Sequence, residues 1–169
     1  MRQWPDASRA PGGDVARLRE VRVRTEDGQI TDAIDIRRSV WIEMVYEVLR
    51  PGYILMPHFQ FFNEEGVHVF SAHDIDPAWR RRPRPIGRYT SRALTPGNLL
   101  SEGTLFVGAG LDTMNPRILQ FYELDAVAFQ VIDSLDGDSA RGDHAGPMGG
   151  VIRPLLQWST QADLGQHPG

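Results

Sequence analysis

The residues of this chain that could carry out catalysis are few and poorly grouped. Glu43 and Glu47 could supply the two carboxylates of a glycoside hydrolase. They lie two pleats apart on one predicted strand, with nothing nearby to give them separate acid and base environments. His73 and Asp74 could form a base and its partner, but no nucleophile-elbow motif accompanies them. We therefore expect a protein without catalytic residues.

The composition excludes several classes of site. The chain contains no cysteine, and all 18 basic residues are arginine. Without cysteine there can be no disulfide, thiol nucleophile or cysteine-ligated zinc. Without lysine there can be neither a Schiff base nor a Walker-type phosphate loop in this sequence. The formal net charge of -4 also argues against nucleic acid as a partner.

Metal binding is not predicted either. The acidic loop with Asp133, Asp136, Asp138 and Asp143 lacks the alternating oxygen ligands of an EF-hand. The histidines do not form a close pair of the His-x-x-x-His type. We expect neither a metal nor a cofactor.

The hydrophobic pattern predicts short strands separated by turn residues. We expect these strands at residues 15–24, 39–49, 53–62, 67–72, 89–94, 104–111, 126–133 and 150–159. The segment 39–49 also fits a helical pattern, but its β-branched and aromatic residues favour a strand. Such a series is typical of an all-β antiparallel sandwich. We place the sandwich at residues 16–160, with a flexible tail or linker at 1–15 and a flexible C-terminal tail at 161–169.

Three stretches carry a resemblance to a known family. They are ARLREVRVRTEDGQ (16–29), IGRYTSRALTPGNLLSEGTLFVGAG (86–110) and DAVAFQVIDSLDGDSARGDHAGPMGGVIRPLLQW (125–158). In order and spacing they resemble the C-terminal, polysaccharide-binding domain of Wzt-type ATPase subunits of O-antigen ABC exporters. The resemblance covers roughly residues 14–160. The sequence does not contain the nucleotide-binding domain that precedes this domain in the family, which leaves two alternatives, an excised domain or a separate module.

The resemblance implies both a fold and a function. The fold would be an immunoglobulin-like antiparallel β-sandwich that forms a homodimer by exchanging its C-terminal strand. Arg153-Pro154 suits such an edge strand, because proline cannot donate to a ladder. The function would be non-catalytic recognition of the terminal end of O-polysaccharide on the cytoplasmic side of the inner membrane. The partners would be the transporter's nucleotide-binding domain and permease. The alternative is an assembly module that dimerises the ATPase and has no sugar site.

Strand alternation predicts which side chains would meet a saccharide. If Ile42, Met44, Phe59, Phe61 and Val107 face the core, the residues between them face outward. We predict a single ligand-binding surface of aromatic and polar groups: Trp41, Glu43, His58, Gln60, Phe62 and Phe106. The alternative places these rings in the core or a dimer interface, because a shift of one residue reverses the face.

An arginine cluster lies in the polar stretch before residue 89. It contains Arg80, Arg81, Arg82, Arg84 and Arg88. We expect a solvated loop here, with an acidic sugar or phosphate as the alternative ligand. The neighbouring Trp79 would either stack on a sugar ring or hold the loop against the sandwich.

Overall fold

The computed structural model describes residues 1–163 of the chain. This part of the chain folds into nine β-strands. In chain order they are β1 (Arg2–Gln3), β2 (Ala16–Arg24), β3 (Ala33–Asp35), β4 (Val40–Val48), β5 (Ile54–Asn63), β6 (His68–His73), β7 (Gly87–Thr95), β8 (Gly103–Met114) and β9 (Ile118–Ile132).

The strands form two stacked sheets. One sheet has four strands in the order β1-β2-β4-β7, and the other has five in the order β3-β9-β8-β5-β6. All neighbours are antiparallel except β3 and β9, which pair in parallel. The predicted all-β sandwich is therefore confirmed. Because β8 lies between β9 and β5, its outward residues form the middle of one outer face of the molecule.

Alternation along the strands builds the core between the sheets. The four-stranded sheet contributes Val21, Val23, Ile42, Met44 and Tyr46, and the five-stranded sheet contributes Phe59, Phe61, Val107, Leu111 and Phe129. All ten of these side chains are buried. As expected from sequence, Ile42, Met44 and Tyr46 of β4, Phe59 and Phe61 of β5, and Val107 of β8 face the core. This alternation places the intervening residues on the outer faces of the two sheets.

Part of residues 1–15, which the sequence predicts to be a flexible tail or linker, contacts the sandwich. Arg2 and Gln3 pair with Val21 and Glu20 as an edge strand, and Trp4 packs against the core. Val15 is buried, and its N–H donates to the Gln120 side chain at 3.0 Å. The proline and glycine residues of this stretch form turns that return the chain to its own sheet, because apolar residues at either end find a surface to cover.

The strand predicted at 150–159 was wrong. Only Ile152 forms a bridge there, to Leu100, and Arg153 is drawn inward to an ion pair with Glu102. Residues 155–163 form no helix or strand, and Leu155, Leu156 and Trp158 are exposed. Trp158 is 87% exposed. Of the tail predicted at 161–169, residues 164–169 lie outside the described part of the chain.

No helix that could cross a bilayer occurs in residues 1–163.

Candidate functional site

The outer face of the five-stranded sheet combines aromatic rings with hydrogen-bonding groups. We call it the glycine-floored face. It consists of His58, Gln60 and Phe62 on β5, Phe106, Gly108 and Gly110 on β8, and Tyr122 on β9. Four of the six residues predicted from sequence to bind ligand, His58, Gln60, Phe62 and Phe106, lie together here.

Two glycines at the centre of this face make room for larger neighbours. Gly108 lies opposite Gln60, and Gly110 lies between His58 on one side and Tyr122 on the other. A Cβ at Gly108 would collide with the Tyr122 hydroxyl and lie 2.8 Å from the ring carbon Cζ. A Cβ at Gly110 would collide with the His58 imidazole. The missing side chains therefore let Tyr122 and His58 lie flat across β8.

Tyr122 crosses the central strand to reach Gln60. Its hydroxyl donates to Gln60 Oε1 at 2.7 Å. Burial raises the pKa of Tyr122 above its usual value, so the phenol stays protonated at neutral pH. The Gln60 amide NH₂ has no acceptor within residues 1–163, and its orientation is fixed by the bond to its oxygen. A directed amide donor of this kind suits a sugar hydroxyl.

His58 supports the face from below. Although it points outward as predicted, it is only 6% exposed. The Tyr122 ring covers it at a centroid distance of 6.2 Å, nearly parallel, and His73 lies 5.6 Å away. Burial lowers the pKa of His58 below its usual value, which favours the neutral imidazole. His58 thus lies beneath Tyr122, and a ligand contact at His58 stays a prediction.

The carboxylate beside His58 is already paired. Asp112 Oδ2 lies 3.9 Å from His58 Nδ1, but it accepts hydrogen bonds from Arg117 Nε at 3.1 Å and Nη2 at 2.9 Å. Asp112 is buried, so this pairing with Arg117 offsets the cost of placing a charge there.

The aromatic part of the face lies at the other end of β5. Phe62 and Phe106 are directly opposite each other on neighbouring strands, and His68 of β6 lies 5.2 Å from the Phe62 ring. His68 Nε2 is 2.9 Å from Ser71 Oγ, which keeps the imidazole beside the phenylalanine. Rings here, with amide and hydroxyl groups one or two residues away, provide both kinds of contact that a saccharide makes.

Trp41 and Glu43 do not belong to this surface. Both lie on β4, on the outer face of the four-stranded sheet, so the prediction of a single surface was wrong. Glu43 accepts from Arg22 Nε at 2.5 Å and Arg24 Nε at 3.0 Å. The Arg92 guanidinium lies 4.7 Å from the Trp41 ring centroid. Both side chains are thus occupied by arginines on the opposite side of the sandwich.

The arginine cluster divides into two kinds of residue. Arg84 is 2% exposed, which corrects the expectation of a fully solvated loop. It donates to the Tyr46 hydroxyl and to Asp74 Oδ2, the latter at 2.8 Å. Its Cζ lies 5.7 Å from the Trp79 ring centroid and 5.8 Å from the Tyr89 ring centroid. Trp79 therefore holds the loop against the sandwich. The other members, Arg80, Arg81, Arg82 and Arg88, are exposed.

The acidic loop is engaged with arginines. Asp136 accepts from Arg37 Nη1 at 2.9 Å, and Asp133 lies 3.5 Å from Arg141 Nε. Hydrogen bonds from Ser134 and from the Asp138 backbone lower the pKa of Asp136 below its usual value, and Arg37 lowers it further. No group of three or more metal-ligating side chains occurs in the part of the chain that the structure describes.

The sequence prediction did not include Tyr122. Its segment, Ile118–Asp125, lies outside the predicted strands, and the register slips against β8 between Val107 and Ala109. The Gly-Ala-Gly at 108–110 was a usable signal, because glycines at alternate positions of a central strand leave space that a large neighbour must fill.

Comparison with known proteins supports the fold. No family model matches the chain, and no curated protein matches its sequence. The crystal structure of the C-terminal domain of Wzt is similar, with a TM-score of 0.68 at 12% sequence identity. The match covers 89% of this chain and 86% of that chain. The chain thus shares the β-sandwich fold of the C-terminal domain of Wzt.

Proposed function

We propose that this protein is a non-catalytic module that binds O-antigen-type polysaccharide on its glycine-floored face. The observation that carries the proposal is the Gln60–Tyr122 pair beside Phe62 and Phe106 on one open sheet face. The phenylalanine rings would stack on the apolar faces of pyranoses, and the Gln60 amide would donate to a hydroxyl. Trp41 and Glu43, on the opposite face, are not part of this site.

The motifs and the fold shared with the C-terminal domain of Wzt support a proposal for the biological setting. We infer that the module acts at the cytoplasmic face of the inner membrane, together with the nucleotide-binding domain and permease of an ABC exporter. It would recognise the terminal end of the polysaccharide. The affinity of one face for a few sugar units is expected to be modest, so two linked copies would gain avidity.

The exposed C-terminal segment supports a homodimer. Leu155, Leu156 and Trp158 extend into solvent with no core of their own, and such apolar stretches usually meet a partner. We propose that this segment packs on a second copy. Sedimentation velocity of the full chain should show a dimer, and a chain ending at Pro154 should be monomeric. A monomeric full chain, or a truncated chain that still dimerises, would reject this arrangement.

A microarray of purified bacterial O-polysaccharides tests the binding function. The full chain should bind at least one polysaccharide, and Gln60→Ala should abolish that signal. The matched control is Trp41→Ala, on the opposite face, which should bind as the unaltered protein does. If Trp41→Ala loses the signal and Gln60→Ala keeps it, polysaccharide binds to the four-stranded sheet and the proposed site is rejected. If the dimer binds no polysaccharide at all, the assembly role remains and the sugar site does not.

A further inference from the structure

A cleft of about 510 Å³ lies beyond the glycine-floored face, where β5 meets the β6–β7 loop. The sheet contributes Ile54, Met56 and Met114 to its wall, and the loop contributes Ile75 and Trp79. Its volume lies within the range of small-molecule sites, which are also mostly apolar. The apolar wall alone would suit many uncharged compounds.

Arginines from the loop give the cleft a positive charge. Arg80, Arg81 and Arg84 line it together with a single carboxylate, Asp74. Arg84 Nη2 is paired with Asp74 at 2.8 Å, so these two charges offset each other. Among residues 1–163, neither Arg80 nor Arg81 forms an ion pair.

The conformation of the β6–β7 loop places Arg80 and Arg81 at the cleft. Arg84 Cζ lies 5.7 Å from the centroid of the Trp79 ring. The Trp79 and Tyr89 rings meet edge to face, with their centroids 5.3 Å apart. Arg81 has a φ of 60°, in the left-handed region that non-glycine residues rarely adopt. A residue kept in such a conformation is held there by its surroundings. The nearby Asp76 carboxylate accepts the Ala78 N–H at 2.9 Å within the turn.

We propose that this cleft binds an amphipathic phosphate ester, an apolar chain or ring that carries a phosphate. The apolar part contacts Met56, Met114 and Trp79, and the phosphate accepts hydrogen bonds from Arg80 and Arg81. Guanidinium groups bind phosphate with charge-assisted, often bidentate hydrogen bonds. Both halves of the ligand are needed, because the wall is apolar and the loop is cationic. The site is separate from the proposed glycan site, although His73 borders both.

Three probes separate these contributions. Isothermal titration calorimetry of the full chain would compare decyl phosphate, decyl glucoside and inorganic phosphate, with both decyl compounds below their micellar concentrations. Decyl phosphate should bind at least about tenfold more tightly than either of the others, because only decyl phosphate makes both the charged hydrogen bonds and the apolar contacts. Equal binding of decyl glucoside would show an apolar cleft only, and equal binding of inorganic phosphate would show an anion site only. Either result overturns the proposal.

Variants locate the binding. The double variant Arg80→Gln/Arg81→Gln should weaken the binding of decyl phosphate at least about tenfold. Arg82→Gln is the matched control, because Arg82 is exposed and adjacent but does not line the cleft. Met114→Gln should weaken binding through the apolar half. Gln60→Ala should leave decyl phosphate binding unchanged, whether or not the protein binds polysaccharide. Loss with Gln60→Ala or Arg82→Gln, or no loss with the double variant, contradicts the proposed site.

Discussion

The Tyr122 hydroxyl donates a 2.7 Å hydrogen bond to Gln60 Oε1 across a strand that belongs to neither residue. Tyr122 is on β9 and Gln60 on β5, and β8 runs between them. The bond is possible because Gly108 presents no side chain where the phenol crosses. Three residues from three strands thus set the direction of one amide donor before any ligand arrives. Such preorganisation reduces the ordering cost of binding.

Gly108→Ala should displace Tyr122 and lower the free energy of unfolding by about 1–3 kcal/mol, the usual cost of overpacking. The double variant Gly108→Ala/Tyr122→Ala should cost less than the sum of the two single variants, because the collision is then removed. Urea denaturation of the four proteins measures this coupling.

Gly149→Ala is the control for that cycle. A Cβ at Gly149 would meet no atom within 4 Å, and its φ lies outside the left-handed region. Its free energy of unfolding should therefore stay within about 0.5 kcal/mol of the unaltered protein. Additive effects of Gly108→Ala and Tyr122→Ala would show that the two residues do not touch as described.

His58 predicts a pH dependence of stability. Burial holds its folded-state pKa below the unfolded value of 6.5, although the Met56 carbonyl and Asp112 oppose this shift. His73 and Arg117 lower the pKa slightly further. The unfolded chain therefore binds the proton more readily, so the free energy of unfolding falls as pH decreases from about 6.5 through the folded pKa. His58→Gln should lose this part of the acid sensitivity. Denaturant titrations between pH 8 and 5 measure it.

The matched variant for this experiment is His144→Gln. His144 is exposed in the acidic loop, so its replacement should leave the pH profile as it is in the unaltered protein. Parallel profiles for His58→Gln and the unaltered protein would contradict a buried, neutral His58.

Arg84→Met should destabilise the protein by about 3 kcal/mol, because breaking a buried ion pair leaves the partner charge unpaired. Burial lowers the pKa of Arg84 to about 10, so the guanidinium is still charged at neutral pH and needs Asp74. Adding Asp74→Asn should recover part of the loss. Chemical denaturation of both variants measures this.

Arg82→Met provides the comparison for Arg84. Arg82 is exposed and lies two residues away, so its replacement should change the free energy of unfolding by less than about 0.5 kcal/mol. Equal effects of the two substitutions would mean that Arg84 is solvated in solution.

Alternation predicted the facing of β4, β5 and β8, because the inward residues of each are apolar and the period of a strand is two. It could not predict which strands share a sheet. Trp41 and Phe62 both face outward, yet they lie on opposite sides of the molecule, since sheet membership depends on pairing between distant segments. Glu43 illustrates the consequence, because only the register with β2 brings Arg22 and Arg24 to it.

The burial of Arg84 could not be predicted from the local sequence either, because it depends on distant residues. Its neighbours Arg82, Pro83 and Pro85 form a polar local sequence that is typical of a solvated loop. Its partner Tyr46 lies on β4, and its partner Asp74 is the residue that follows β6. The sequence around Arg84 does not indicate either of them. The edge strand β1 could not be predicted for a different reason, because two residues are too few to show a detectable period.

The most direct test of the binding surface is an NMR titration of the ¹⁵N-labelled full chain with a polysaccharide that binds on the array. The Gln60 side-chain NH₂ and the backbone amides of Gly108 and Gly110 should shift together, while Trp41 and Arg22 should not move. Shifts confined to Trp41, Arg22 and Arg24, or a Gln60 amide that does not respond at saturating polysaccharide, would contradict a glycan site on the glycine-floored face.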